Sequence, residues 1–201
     1  ALIPVIFKQG WLAELPVMDT LLFPVSRNRG NGMRSVWLFF LVAWIISWGG
    51  IVLSFGGGRL QIFEGQNVLN GTVSPQLLFI WMAMLAGPAL SGIFFTWMEA
   101  GRKGLKKLFA SSVRWKVNGK WWAAALFIFP ALLFMIFYAL SFLVPDYSPA
   151  SLVGLGIGAG LIGGYFEELG WTGFATPKML QQFGLVKTGL VLGSIHAIWH
   201  L

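Results

Sequence analysis

The chain has 201 residues, of which 57% are hydrophobic and 10% are charged, and its formal net charge is +7. Soluble domains carry about 25% charged residues, so this composition excludes an ordinary water-soluble domain and indicates a membrane protein. The sequence has no cysteine, which excludes disulfides and thiolate metal ligands. We expect no nucleic-acid partner, because the basic residues cluster as in a cytoplasmic membrane loop.

Apolar runs of about 20 residues, the length that crosses a bilayer as a helix, predict at least five transmembrane helices. They lie at 36–55, 76–98, 121–144, 150–176 and from 185 onward. Pro88 is expected to kink the second helix, and the last helix is expected to be truncated at Leu201. Residues 1–35 hold two short apolar runs broken by proline, which predict an interfacial segment. The predicted fold is therefore all-α, an integral membrane helical bundle of residues 36–201.

Basic residues are concentrated between the second and third apolar runs. The segment 99–120 holds seven of them: Arg102, Lys103, Lys106, Lys107, Arg114, Lys116 and Lys120. The loop before it has Arg59 alone. By the positive-inside rule, the N-terminus and the loop 99–120 are predicted to face the cytoplasm, and we expect the protein in the cytoplasmic membrane of a prokaryote. The same loop is expected to touch anionic membrane lipids, with a partner-binding loop as the alternative.

The fourth run begins with a row of glycines, "GLGIGAGLIGG". Its partial match to a dinucleotide-binding fingerprint is rejected because that motif needs a strand before it, and this stretch is a membrane helix. The glycines instead stand four apart, as in the pairs Gly156/Gly160 and Gly160/Gly164. Small residues at this spacing allow membrane helices to approach closely, so Gly160 is predicted to contact the backbone of a neighbouring helix.

Two adjacent carboxylates, Glu167 and Glu168, are the only acidic residues inside an apolar run. A charged side chain in mid-bilayer costs at least about 2.5–3.5 kcal/mol, so such residues normally line a polar cavity. The only two histidines, His196 and His200, stand four apart and share one helix face. The depth of each residue in the membrane is counted at about 1.5 Å per residue from the nearest lysine, Lys178 or Lys187. By this count, Glu167 lies at a depth between those of His196 and His200.

This combination supports more than one kind of chemistry. A glutamate takes a proton from water while an imidazole holds or polarises that water. Glu167, His196 and His200 also form a His₂Glu set that suits a divalent metal such as zinc, although "HAIWH" lacks the glutamate of the HExxH motif. The structural alternatives are that Glu168 pairs with a neighbour and that His196 bonds a backbone carbonyl.

The stretch "EELGWTGFATPKMLQQFG", followed by "GSIHAIWHL", resembles the CPBP family of intramembrane proteases, also called the Abi or CAAX-protease-like family. That family includes the type II CAAX prenyl endopeptidases, and its first two motifs are EExxxR and FxxxH. The close match covers about residues 163–201. A looser match, through "GPALSG" and "RWKV", extends the similar part back to about residue 87.

The resemblance implies a hydrolase that cleaves a peptide bond with a glutamate-activated water in a membrane cavity. Glu167 would be the general base, His200 would orient the water, and Glu168 would support the site. The implied substrate is a peptide or protein, which in this family is prenylated in some members. Further membrane subunits are possible partners.

Three features differ from the family pattern, and the first two favour a divergent or inactive member. Thr172 stands where the motif has arginine, His196 stands where it has an aromatic residue, and the third motif does not occur in this sequence. The alternative function is a catalytically inactive relative that serves as a structural or assembly subunit of a larger membrane complex. A third hypothesis is a small transporter in which Glu167 carries a proton.

Overall fold

The computed structural model describes residues 29–55, 73–143 and 153–201, and every regular element in them is helical. The elements in chain order are α1 (Arg29–Phe55), α2 (Pro75–Ser112), α3 (Gly119–Ala123), a first π-helical turn (Ala124–Ile128), α4 (Phe129–Leu143), α5 (Val153–Gly170), a second π-helical turn (Trp171–Ala175) and α6 (Thr176–Trp199). The all-α prediction is confirmed for these residues. Most of the predicted interfacial segment 1–35 lies outside them, and α1 runs through its predicted end.

Three helical stretches in the described part of the chain are long and apolar enough to cross a membrane. They are Gly32–Phe55, Pro75–Ser112 and Gly119–Leu143, and they match the first three predicted runs. The protein is therefore of the integral membrane, helical class. The fourth and fifth predicted runs form α5 and α6, which are helices but are not among these three stretches.

The second helix is longer than the sequence predicts. It begins at Pro75, where the Ser74 hydroxyl accepts a hydrogen bond from the amide of Leu77 at 3.1 Å, and it ends at Ser112. Its backbone departs from helical geometry at Gly101, where φ is +57°, and not at Pro88.

The prediction of a loop over the whole segment 99–120 is therefore wrong. Apart from the departure at Gly101, helical structure continues to Ser112, and the irregular connection is confined to 113–118. The physical reason is amphipathic packing. Gly104 and Leu108 are buried on one side, where Leu108 lies against Gly173, while Lys103 and Lys106 remain exposed on the other.

Close approach of helices occurs at different glycines from the predicted ones. A Cβ atom on Gly92 would lie 2.7 Å from Gly170 Cα, and a Cβ atom on Gly170 would lie 2.8 Å from the carbonyl carbon of Pro88. Gly160 has no atom of a described neighbouring helix within 4 Å of its Cβ position, so the prediction for Gly160 is wrong. The α2–α5 crossing lies at the C-terminal end of α5, about one turn beyond the glutamates. Gly92 and Gly170 have no side chains there, which allows the two backbones to approach closely.

The apolar core surrounds the second π-helical turn. Trp171 is 1% exposed and stacks on Phe40 with ring centroids 5.8 Å apart, and Phe174 packs against Phe39 and Phe95. This core holds α1, α2 and the end of α5 together, and it fixes the position of the chain on which the glutamates lie.

Two further features shape the molecule around this core. At Gly184, where φ is +73°, α6 departs from helical geometry, so that its second half takes a new direction. The second feature is the apolar stretch Gly119–Leu143, which has no buried residue along its length.

Candidate functional site

The structure brings Glu167, His196 and His200 together. The Oε2 atom of Glu167 lies 3.5 Å from His196 Nε2 and 3.8 Å from His200 Nε2. A straight helix from Glu167 to His196 would hold the two residues about 43 Å apart, so the change of direction at Gly184 is needed for this contact. The predicted meeting of the carboxylate with both imidazoles is observed.

Aromatic rings hold the two imidazoles in place. The His196 ring lies between the ring of Trp171, at a centroid distance of 4.7 Å, and that of His200, at 4.9 Å. Trp199, which is fully buried, meets His200 edge-on at 4.6 Å. Because the His196 ring is covered on both faces, its edge nitrogens are fixed in direction.

The sequence did not single out these tryptophans. Trp171 follows Glu167 by four residues, which places both on one helix face, and Trp199 directly precedes His200. That spacing is the signal that could have identified them as walls of the site.

The site is partly closed to the surroundings. The side chains of Glu167 and His196 are 18% and 27% exposed, whereas that of His200 is 55% exposed. The other carboxylate oxygen of Glu167 lies 3.9 Å from the Cβ position of Gly163, one turn earlier, and Leu85 Cδ2 lies 3.7 Å from the same position. The cluster is therefore reached from the side of His200.

One polar atom in this cluster has an unused bonding capacity. His196 Nε2 is buried and makes no hydrogen bond within the described part of the chain, although Glu167 Oε2 is only 3.5 Å away. The alternative that this atom bonds a backbone carbonyl is thus not observed there. At 3.5 Å, the nitrogen and the carboxylate oxygen are farther apart than in a normal hydrogen bond.

The three side chains fit a divalent metal by their spacing and their donor atoms. One ligand atom from each residue lies within 4.8 Å of the other two. In a tetrahedral zinc site with bonds of about 2.0–2.1 Å, ligand atoms are about 3.3–3.4 Å apart. The observed spacings of 3.5 and 3.8 Å are close to that value. Two imidazoles and one carboxylate are also a common donor set for zinc.

Glu168 lies outside this cluster. Its Oε2 atom is buried and finds no hydrogen-bond partner among the residues that the structure describes. The Thr172 hydroxyl donates to the backbone carbonyl of Glu168 at 2.9 Å and leaves the carboxylate without its support. The expected weaker support from Thr172 is observed, and the alternative of a paired Glu168 carboxylate is not.

Comparison with protein-family models, with curated proteins and with solved structures finds no match to this chain. The interpretation of the site therefore depends on its own geometry and chemistry.

Proposed function

We propose that this protein is an intramembrane peptidase related to the CPBP family, with Glu167 as the general base for a water molecule. The observation that carries the proposal is the contact of the Glu167 carboxylate with both imidazoles, at 3.5 and 3.8 Å, beside two buried tryptophans. A carboxylate and imidazoles in an apolar protein are costly to bury, and such groups normally serve chemistry.

The proposed reaction needs one water molecule and a peptide carbonyl. Glu167 accepts a proton from the water while the oxygen of that water attacks the carbonyl carbon, and the carbonyl oxygen takes the negative charge. His200, the more exposed imidazole, orients the water from the open side of the site. The carbon–nitrogen bond then breaks, and the protonated Glu167 returns its proton to the leaving amine.

A divalent metal would be compatible with this scheme if the two carboxylate oxygens of Glu167 had separate roles, with Oε2 towards the ion and Oε1 as the base for water. Glu167, His196 and His200 are the residues that would hold it. When bound, such an ion polarises a carbonyl and lowers the pKa of a water ligand.

The proposed membrane arrangement follows the distribution of charge. We place five spans in the bilayer, with the N-terminus and the segment 99–120 in the cytoplasm. The exposed Arg102, Lys103 and Lys106 would face anionic lipid headgroups. Exposed Trp115 and Trp121 lie next to Lys116 and Lys120, as is typical of residues at a membrane interface.

The test is peptide cleavage by the full-length protein in lipid vesicles. The probes are a fluorogenic peptide with a farnesylated cysteine near its C-terminus and the same peptide without the lipid. We expect the wild type to cleave at least one of them and Glu167→Ala to lose about 10²–10⁴-fold in rate, the range for loss of a general base. Ser194→Ala, an exposed position on α6, is the control. Equal rates for the wild type and Glu167→Ala would refute the proposal.

A second function, that of a structural subunit in a larger membrane complex, is favoured by two observations. The apolar stretch Gly119–Leu143 buries none of its residues against the described chain, and the buried oxygen of Glu168 has no hydrogen-bond partner among the residues that the structure describes. Under this hypothesis, Glu167→Gln leaves the assembly intact. Phe134→Asp, at an exposed residue of that stretch, releases the protein from a larger complex. Size-exclusion chromatography after mild solubilisation measures both outcomes.

A further inference from the structure

We propose that Glu167, His196 and His200 bind one divalent transition-metal ion of the zinc class, and that His196 is a ligand of this site. The inference deepens the proposed function, on which it rests for the role of the ion in hydrolysis. The binding itself is a separate property of the three side chains and is measured without any substrate.

The first argument is the convergence of ligand atoms. Both Nε2 atoms approach the same carboxylate oxygen, Oε2 of Glu167. His196 lies in the last turn of α6 and His200 directly follows the end of that helix, and their rings are inclined by only 29°. Three protein ligands with an open fourth position are the arrangement of catalytic zinc sites, and the open direction lies on the exposed side of His200.

The second argument is the buried nitrogen of His196. A buried polar atom normally has a hydrogen-bond partner, and an exception calls for an explanation such as a catalytic role or a bound ion or water. His196 Nε2 is such an exception within the described residues. The stacking of the ring between Trp171 and His200 prevents it from turning to another partner. A metal ion would satisfy this nitrogen and the Glu167 oxygen at the same time.

The third argument concerns the charge on Glu167. Its ion-pair partners among the described residues are the two imidazoles alone. Lys178, which is also on α6, is paired with Glu99 and lies over the ring of Phe174. An imidazole binds a metal ion in its neutral form, and in that form the two imidazoles leave the negative charge of the carboxylate uncompensated, whereas a divalent cation would compensate it.

The test measures metal binding by the full-length protein in detergent. The protein is freed of metal with a chelator and dialysed against Zn²⁺, and bound zinc is quantified by elemental analysis. In parallel, Co²⁺ is titrated, and the visible absorption bands of a tetrahedral Co²⁺ complex are recorded. We expect about one ion per chain, and substitution of any ligand should weaken binding at least tenfold, since even an outer-shell change costs about 10–100-fold.

The variants separate ligation from folding. His196→Phe keeps an aromatic ring between Trp171 and His200 while it removes the nitrogen, and Glu167→Gln keeps the shape of the carboxylate. The matched control is Glu168→Gln, which makes the same change at the adjacent residue outside the cluster. Each variant is compared with the wild type in helicity and in its elution from size-exclusion chromatography.

Each outcome either supports or overturns the proposed metal site. One bound ion in the wild type and in Glu168→Gln, with loss in Glu167→Gln and His196→Phe, supports the site. No Co²⁺ spectrum in the wild type, or full binding by His196→Phe, overturns it. Should a variant not fold, a rise in the thermal stability of the wild type on Zn²⁺ addition supports the proposal, and no rise overturns it. Metal binding without peptide cleavage refutes the peptidase alone, and cleavage by metal-free protein refutes only the role of the ion in hydrolysis.

Discussion

Replacement of Gly170 by alanine tests how the fold positions the glutamates. A Cβ atom at this position would lie 2.8 Å from the carbonyl carbon of Pro88 and 2.9 Å from Phe39 Cε2. Ordinary van der Waals contact begins at 3.4 Å, so α5 and α2 would have to move apart by more than half an ångström. The Pro88 carbonyl is part of the backbone of α2, and it therefore does not yield as easily as a flexible side chain would.

The loss of folding stability expected for Gly170→Ala is obtained by comparison with Gly160→Ala. Both changes gain about 1 kcal/mol of helix propensity, and this gain cancels in the difference between the two variants. Overpacking costs about 1–3 kcal/mol, and only Gly170→Ala suffers it, because no atom of the described chain lies within 4 Å of the Gly160 Cβ position. For a protein of this size, the difference corresponds to about 2–12 °C in the unfolding midpoint.

The assay is thermal unfolding in detergent, followed by helicity and by the fraction that remains monodisperse. Gly170→Ala should unfold at lower temperature than Gly160→Ala, and the shift of α5 should also weaken metal binding at Glu167. Equal stability of the two variants would refute the assignment of the helix crossing to the C-terminal end of α5.

Two other predictions address the basic segment and the membrane orientation. Lys178 pairs with Glu99, so a double-mutant cycle of Lys178→Met and Glu99→Gln, measured by thermal unfolding, should give a coupling energy of about 0.5–3 kcal/mol; a value of zero would show that the pair does not join α2 to α6. The chain has no native cysteine, so Ser111→Cys and Ser148→Cys should react with a membrane-impermeant maleimide from opposite faces of the membrane, and equal labelling of both from outside would refute the topology.

The sequence was sufficient to predict the helical class and the meeting of the site residues. Apolar length identifies a membrane helix without knowledge of its neighbours. The constant rise of a helix relates Lys178 and Lys187 to the depths of Glu167 and His196. The first argument uses only local properties of the chain, whereas the second also assumes that both helices leave the same membrane interface.

Packing between helices could not be predicted in the same way. The four-residue spacing of the glycines identifies a face of α5 that is able to pack closely, but it does not say where the partner lies. The actual crossing uses Gly92 and Gly170, which belong to different helices and show no pattern in the sequence. The helical course of 102–112 was missed because the seven basic residues obscured the buried positions Gly104 and Leu108.

The most direct measurement of the central claim compares the cleavage rates of Glu167→Gln and Glu168→Gln in lipid vesicles. The two variants differ by one position in the chain, and only Glu167 contacts the imidazoles. The account predicts a loss of about 10²–10⁴-fold for Glu167→Gln and a clearly smaller loss for Glu168→Gln. An equal loss in both variants, or a larger loss in Glu168→Gln, would contradict the assignment of Glu167 as the base that activates water.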